Sequence, residues 1–231
     1  MTASRDDAKD RVGERVAGWI EDGMVVGLGT GSTAARGVLA LGRRLASENL
    51  RIRGVATSFA AERMAREIGI PLATLDDVDL IDLAFDGADE VDGDLNLIKG
   101  RGAAQTREKI VAARSKRFVV LVDESKLVEK LGTQAPLPVE FVPMAARPIM
   151  RRVEELGGRP ALRMGERKDG PVVTDQGMWI IDASFDGIDD PGALDRALLM
   201  TPGVLDHGMF LGLATDVLVG RTDGGIDHLS R

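Results

Sequence analysis

Four short polar stretches carry the side chains with which this 231-residue chain could do chemistry. The first is Gly27-Leu28-Gly29-Thr30-Gly31-Ser32-Thr33, set between a short apolar run and a helical pattern. Unpaired backbone N–H groups at a helix start favour an anion, and glycines let a ligand approach the backbone. A dinucleotide fingerprint would need a third glycine where Ser32 stands, and a P-loop would need a lysine that is absent here. The phosphate or carboxylate of a small molecule is the better functional match, and a plain tight turn capped by Ser32 is the bland one. The second stretch, Asp86-Gly87-Ala88-Asp89-Glu90, closes the apolar run Leu80–Phe85. Acids grouped at such a point are costly to bury unless something uses them. A turn with an aspartate cap or a hard cation such as Mg²⁺ would each use them. The third stretch, Lys99-Gly100-Arg101-Gly102, brings an ammonium group close to a ligand on a glycine loop, and Glu108 follows on the next helix. The fourth, Asp123-Glu124-Ser125-Lys126, again follows an apolar run.

Composition narrows the chemistry. The chain has no cysteine and two histidines, His207 and His228. Disulfides, thiolate zinc sites and cysteine nucleophiles are thereby excluded, and imidazole-based metal or triad chemistry is poorly supplied. A formal charge of −7 argues against nucleic-acid binding, which needs a basic surface. The longest stretch free of charged side chains, Gly23 to Ala35, is too short and too polar to span a bilayer. Met1 to Arg11 alternates charges and lacks the apolar core of a signal peptide, so a soluble cytoplasmic protein is expected. His207 reads as a core side chain and His228 as part of a mobile tail.

The elements that must position these groups alternate along the first half. Helices are predicted over 5–22, 33–46, 58–68 and 105–114, with Gly23 as a C-cap and Ser58 as an N-cap. Strands are predicted over 24–28, 52–56, 80–85 and 118–122. This order with buried strands implies a doubly wound, mostly parallel, Rossmann-like α/β sheet, which gathers the carboxyl ends of its strands on one edge. Prolines at 136, 138 and 143 mark a new unit, with 138–142 as an edge strand. It is followed by helix 144–156, strands 159–163, 171–174 and 178–182, helix 191–200 and strand 203–211, approximating a β-α-β-β-α-β ferredoxin-like α+β layer. Residues 215–220 form a last strand that returns to the main sheet. The expected division is 1–132 with 212–231 as the Rossmann-like catalytic domain and 133–211 as the small domain.

Taken in order, these motifs resemble the ribose-5-phosphate isomerases of type A. The resemblance rests on Gly29-Thr30-Gly31-Ser32-Thr33-Ala34, Thr57-Ser58, Asp86-Gly87-Ala88-Asp89-Glu90, Lys99-Gly100, Thr106-Arg107-Glu108-Lys109, Asp123-Glu124-Ser125-Lys126 and Pro136-Leu137-Pro138-Val139-Glu140, and it runs from about Lys9 to Asp223. It implies aldose–ketose isomerisation of D-ribose 5-phosphate and D-ribulose 5-phosphate in the pentose phosphate pathway, with no metal and no cofactor. Glu108 is then the base, Asp86 and Asp89 the acidic pair for sugar hydroxyls and ring opening, and Lys99 the partner of the enediolate. Thr30, Gly31, Ser32 and Thr33 bind substrate oxygens, beside Gly87, Ala88, Gly100, Arg101 and Gly102, while Lys126 and Lys9 serve the phosphate. The family's glycine run after the loop lysine is interrupted here by Arg101. A homodimer or homotetramer is implied as well. Competing readings are a sugar-phosphate sensor, a hexosamine-phosphate deaminase or a CoA transferase on a similar scaffold, but the chain offers neither an output module nor an evident CoA site.

Overall fold

A computed structural model describes residues 5–231. In chain order the elements are α1 (Arg5–Ala17), β1 (Val25–Leu28), α2 (Ser32–Glu48), β2 (Arg53–Ala56), α3 (Phe59–Glu67), β3 (Ile81–Gly87), β4 (Glu90–Val91), β5 (Leu97–Ile98), α4 (Gln105–Ala113) and β6 (Ser115–Asp123). A 3₁₀ turn, Glu124–Lys126, follows β6. Then come β7 (Leu137–Phe141), α5 (Ala146–Glu155), β8 (Arg159–Leu162), β9 (Trp179–Ser184), α6 (Pro191–Leu199), β10 (Val204–His207), β11 (Met209–Phe210), β12 (Asp216–Gly220) and β13 (Ile226–Ser230). The chain forms two compact units. The first holds the described residues up to Ala88, then Arg107–Leu127 and Leu213–Arg231; the second holds Asp89–Thr106 and Val128–Gly212.

The first unit is built on a six-stranded sheet of order β13-β12-β6-β3-β1-β2, parallel except for the antiparallel edge strand β13. Alternation along the strands decides which helix each face receives. Val26 and Leu28 of β1 and Leu83 and Phe85 of β3 join Val12 and Val16 of α1 and Val38 and Leu41 of α2 in one core. Gly27 and Ala84 point the other way. A Cβ on Gly27 would lie 2.5 Å from the Ala84 Cβ and 2.8 Å from Val111 of α4, so a helix covers that face too. This is the doubly wound arrangement read from the order of elements. α1 stops at Ala17, short of the predicted Asp22, and Arg44 caps the carbonyls at and just beyond its end. Arg44 donates to the carbonyls of Ala17 and Ile20, at 2.8 Å for Ile20. Ile20 remains buried beyond the helix end.

The second unit carries a four-stranded antiparallel sheet of order β10-β7-β9-β8, the pattern of a β-α-β-β-α-β ferredoxin-like layer. Leu137, Val139 and Phe141 of β7 and Ile181 and Ala183 of β9 point into a core with Ile149 and Leu198. A three-stranded sheet β11-β5-β4 completes this unit. Several expectations are corrected here. The 138–142 segment is an interior strand, not an edge. Pro138 is tolerated there because β10 pairs only with Val139–Phe141, so the missing N–H falls beyond that ladder's end. Residues 171–174 form a single bridge, Pro171 to Met164, rather than a strand. The 203–211 strand divides at Gly208. Its N–H donates to the Pro138 carbonyl (2.7 Å), and a Cβ there would lie 2.1 Å from the Lys99 carbonyl oxygen, so β10 and β11 join different sheets. His228 is not in a tail: it sits in β13, its Nε2 is 2.6 Å from Asp216 Oδ1, and its ring centroid is 5.2 Å from that of Trp19.

Candidate active site

In the first unit the parallel strands end in the predicted polar groups. β1 delivers the Gly29-Thr30-Gly31 turn, and α2 starts at Ser32 with neither a side-chain cap nor an acidic residue in its first turn. The helix therefore keeps the electropositive start that suits an anion. Gly31 occupies φ 95°, which a side chain would strain, and so turns the chain tightly into the helix. Asp86, 2% exposed at the end of β3, accepts from the N–H of Thr30 (3.0 Å) and of Gly87 (2.7 Å) through Oδ1. That approach requires Gly29: a Cβ at this position would lie 2.4 Å from the Phe85 carbonyl oxygen and 2.6 Å from Asp86 Cα and Cγ. The Thr30 hydroxyl joins those of Thr57 (2.8 Å) and Ser58 (2.7 Å) at the end of β2, and Ser58 caps α3 by accepting from Ala61 N–H. Three strand ends are thus tied into one hydroxyl and carboxylate cluster. Lys126 lies on the 3₁₀ turn after β6, whose cap Asp123 accepts from Ser125 N–H at 3.0 Å. Glu108, on the first turn of α4, is 5% exposed. Lys9, on α1, forms a solvent-side ion pair with Asp6 at 3.5 Å.

In the second unit Asp89 holds the glycine loop. Its Oδ2 accepts from Arg101 N–H at 3.2 Å, and its own N–H donates to Ile98 C=O at 2.8 Å. Arg163, clamped by Asp182, donates to the carbonyls of Gly100 (2.9 Å) and Arg101 (3.2 Å). Arg101 is exposed, and the contacts that hold it in the loop run through its backbone N–H and carbonyl. Lys99 is 3% exposed; its ammonium lies 5.4 Å from the Phe210 ring centroid, a cation–π distance. Glu90, the third acid of the cluster, is wholly buried and accepts from the N–H groups of Gly132 (2.6 Å), Gln134 (2.5 Å) and Ala135 (2.6 Å). Its role is architectural, which separates it from Asp86 and Asp89. No group of three or more His, Cys, Asp or Glu is gathered as for a metal ion among the described residues. His207 serves the core, with Nδ1 accepting from Met209 N–H (3.2 Å) and Nε2 3.1 Å from Asp195.

Two groups were given no role by the sequence reading, although Glu140 closes the Pro136–Glu140 motif. Glu140 is 1% exposed in β7 and accepts from Gln105, Thr106 and Thr174. Phe210 lies beneath Lys99 from 111 positions along the chain. Phe210 is one apolar residue in an apolar run, and the partners that give Glu140 its place lie more than 30 residues away on either side.

A doubly wound sheet with an anion-ready helix start in the first unit, and an antiparallel sheet with a buried lysine on a glycine loop in the second, define an α/β protein of two units. The comparisons are consistent with that class and narrower. Residues 53–224 match the sequence profile of ribose 5-phosphate isomerase A (phosphoriboisomerase A), and the chain belongs to this family. The ribose-5-phosphate isomerase A of Trichodesmium erythraeum is 53% identical over 218 residues, covering 94% of this chain and 92% of that one. Among solved structures, ribose 5-phosphate isomerase A from Methanocaldococcus jannaschii superposes with a TM-score of 0.94 at 48% identity, covering 99% of this chain and 100% of that one. A D-ribose-5-phosphate isomerase in complex with phospho-erythronic acid gives 0.96 at 47% identity, with the same coverage.

Proposed function

We propose that the chain interconverts D-ribose 5-phosphate and D-ribulose 5-phosphate by proton transfer through an enediolate. The observation that carries this reading is that Asp86, Lys99 and Glu108 are 2%, 3% and 5% exposed, charged groups withdrawn from water in a member of this family. In the open-chain aldose, Glu108 removes the C2 proton and the electron pair forms C1=C2 as the charge moves to O1. A proton passes from O2 to O1, C2=O forms, and the Glu108 carboxyl returns its proton to C1. The C–H acid is weak, so the enediolate needs electrostatic stabilisation, here from the Lys99 ammonium and backbone N–H groups. Asp86 and Asp89 hold sugar hydroxyls and assist ring opening. The residues from Thr30 to Thr33, Gly87 and Ala88, and the Gly100–Gly102 loop bind substrate oxygens. Lys126 and Lys9 hold the phosphate. Burial supports Glu108 as base, because at 5% exposure bulk water has little access to the proton it carries.

The proposal extends to a metal-free and cofactor-free reaction in the non-oxidative pentose phosphate pathway, in the cytoplasm, by a homodimer or homotetramer. The exposed Val142, Met144, Leu199, Met200 and Leu205 of the second unit support self-association, with Met144 91% exposed. No helix among the described residues is long and apolar enough to cross a membrane. Proton NMR of EDTA-treated protein with ribose 5-phosphate in D₂O tests the chemistry. Ribulose 5-phosphate with deuterium entering at the transferred position is expected. Conversion that needs added Mg²⁺ would overturn the metal-free mechanism, and binding without conversion would make the chain a sensor.

A further inference from the structure

Glu140 belongs to no step of the reaction, yet it is a buried carboxylate that accepts from three side chains. It occupies the face of β7 opposite Leu137, Val139 and Phe141, which fill the core. A carboxylate at 1% exposure needs partners, and Gln105, Thr106 and Thr174 meet it with neutral donors. Oε2 accepts from the Thr106 hydroxyl in a short bond and from Gln105 Nε2 at 3.3 Å. Oε1 accepts from the Thr174 hydroxyl at 2.5 Å. That hydroxyl in turn accepts from the N–H groups of Gln176 (3.3 Å) and Met178 (3.2 Å), so it is anchored from behind.

Gln105 and Thr106 are the first two residues of α4, and Glu108 is its fourth. A helix turn is stiff, so fixing its first two side chains fixes the direction of the fourth. The same carboxylate also reaches the glycine loop. An acceptor-only group obliges Gln105 to present its amide NH₂, which leaves Gln105 Oε1 facing Gly100, 2.9 Å from where a Cβ would stand. Gly100 is further backed by Pro138, two residues before Glu140 on the same face of β7.

We propose that Glu140 is a positioning residue: through Thr106 and Gln105 it sets the aim of Glu108 and the seat of the Lys99–Gly102 loop. This rests on the isomerase reading, with Glu108 as base. Nothing in the arrangement asks Glu140 to touch substrate, so its loss should act on turnover and spare binding. A displacement of about 1 Å at a reacting group can cost roughly 10²-fold in rate.

The decisive pair is Thr106→Val, which keeps shape and removes the hydroxyl, against Thr106→Ser, which keeps the hydroxyl. Glu140→Gln joins them, because its amide can donate as well as accept and so releases the enforced orientation of Gln105. With folding checked by circular dichroism, Thr106→Val and Glu140→Gln should lose roughly 10- to 100-fold in kcat with KM within about threefold, and Thr106→Ser should stay within about threefold of wild type. The double variant Thr106→Val/Glu140→Gln should lose little more than either alone, since both break one linkage. Unchanged kcat in folded Thr106→Val, equal defects in the valine and serine variants, or fully additive losses would overturn the proposal. If Glu140→Gln does not fold, the Thr106 pair still decides. A wild-type chain without isomerase activity, or Glu108→Gln with full activity, would instead overturn the underlying function, so the two failures are told apart.

Discussion

Adding one methyl group at Gly29 tests whether the close approach of β1 to β3 is what builds the acidic part of the site. Gly29 lies outside the left-handed region, unlike Gly31 at φ 95°, so Gly29→Ala costs nothing in backbone conformation. Its effect is purely one of space. The new Cβ would meet the Phe85 carbonyl oxygen at 2.4 Å and Asp86 Cα and Cγ at 2.6 Å, and two of those three atoms are backbone. No side-chain rotation relieves that, so the strands or the turn must shift by about 1 Å. The bond most exposed to such a shift is Thr30 N–H to Asp86, 3.0 Å long. A hydrogen bond to a charged group is worth about 1.5–3 kcal/mol. Overpacking adds about 1–3 kcal/mol. The sum, about 2.5–6 kcal/mol, corresponds to a fall of roughly 5–24 °C in melting temperature for a chain of this size. Thermal melts followed by ribulose 5-phosphate production, each well below the variant's own midpoint, separate stability from function. A lower midpoint with kcat reduced by about 10²-fold is expected, as Asp86 moves with the turn. A variant with wild-type melting and turnover would show that the strand ends are not held in the tight register described, and the account of Asp86 would fall with it.

Other perturbations separate the remaining roles. Lys126→Ala should raise KM more than it lowers kcat, because a phosphate contact made in both ground and transition states contributes uniform binding; steady-state kinetics with a pure kcat defect would relocate the lysine. Glu90→Gln should destabilise by about 3 kcal/mol or more in chemical denaturation, since one of the two oxygens that share three N–H donors becomes an NH₂ group and leaves at least one donor facing another, and unchanged stability would remove its architectural role. For Asp216, burial alone would raise the carboxyl pKa, but hydrogen bonds from Arg117, Thr215 and His228 outweigh it and hold the group well below the usual carboxylate range. A lowered folded pKa contributes stability above the unfolded value, near 3.9, that disappears as pH falls towards the folded one. The stability gap between wild type and Asp216→Asn should therefore be widest near neutrality and narrow below about pH 4; a gap constant from neutral to acid pH would refute the linkage.

The parallel strands and their carboxyl-end motifs were legible in the sequence because both are local. An apolar run such as Ile81–Phe85 identifies a buried strand by itself, and the acids after it stand where such sheets present ligands. Ser58 as a helix cap was legible for the same reason, a hydroxyl immediately before a helical pattern. What stayed hidden depends on partners far along the chain. Glu140 reads as one acid in Leu-Pro-Val-Glu-Phe until Gln105, Thr106 and Thr174 are brought to it. β13 is polar and half exposed, and only its pairing with β12 makes a strand of it. The interior position of Pro138 was hidden too, because it turns on where β10 stops.

The strand order has a consequence for how the chain is made. β6 is flanked in the sheet by β3 and β12, but about ninety residues separate β6 from β12, most of them the Val128–Gly212 part of the second unit. During synthesis the ribosome releases β1, β2, β3 and β6 first, and the outer side of β6 then waits with its backbone groups unpaired while β7 to β11 emerge. Val119, Val120, Leu121 and Val122, all buried in the finished sheet, lie along that waiting edge. An apolar, unsatisfied strand edge is a template for the wrong partner. Nascent chains stalled before residue 216 should therefore be the forms most prone to chaperone capture and aggregation, and the release of Asp216–Gly220 is the step that covers the edge of β6.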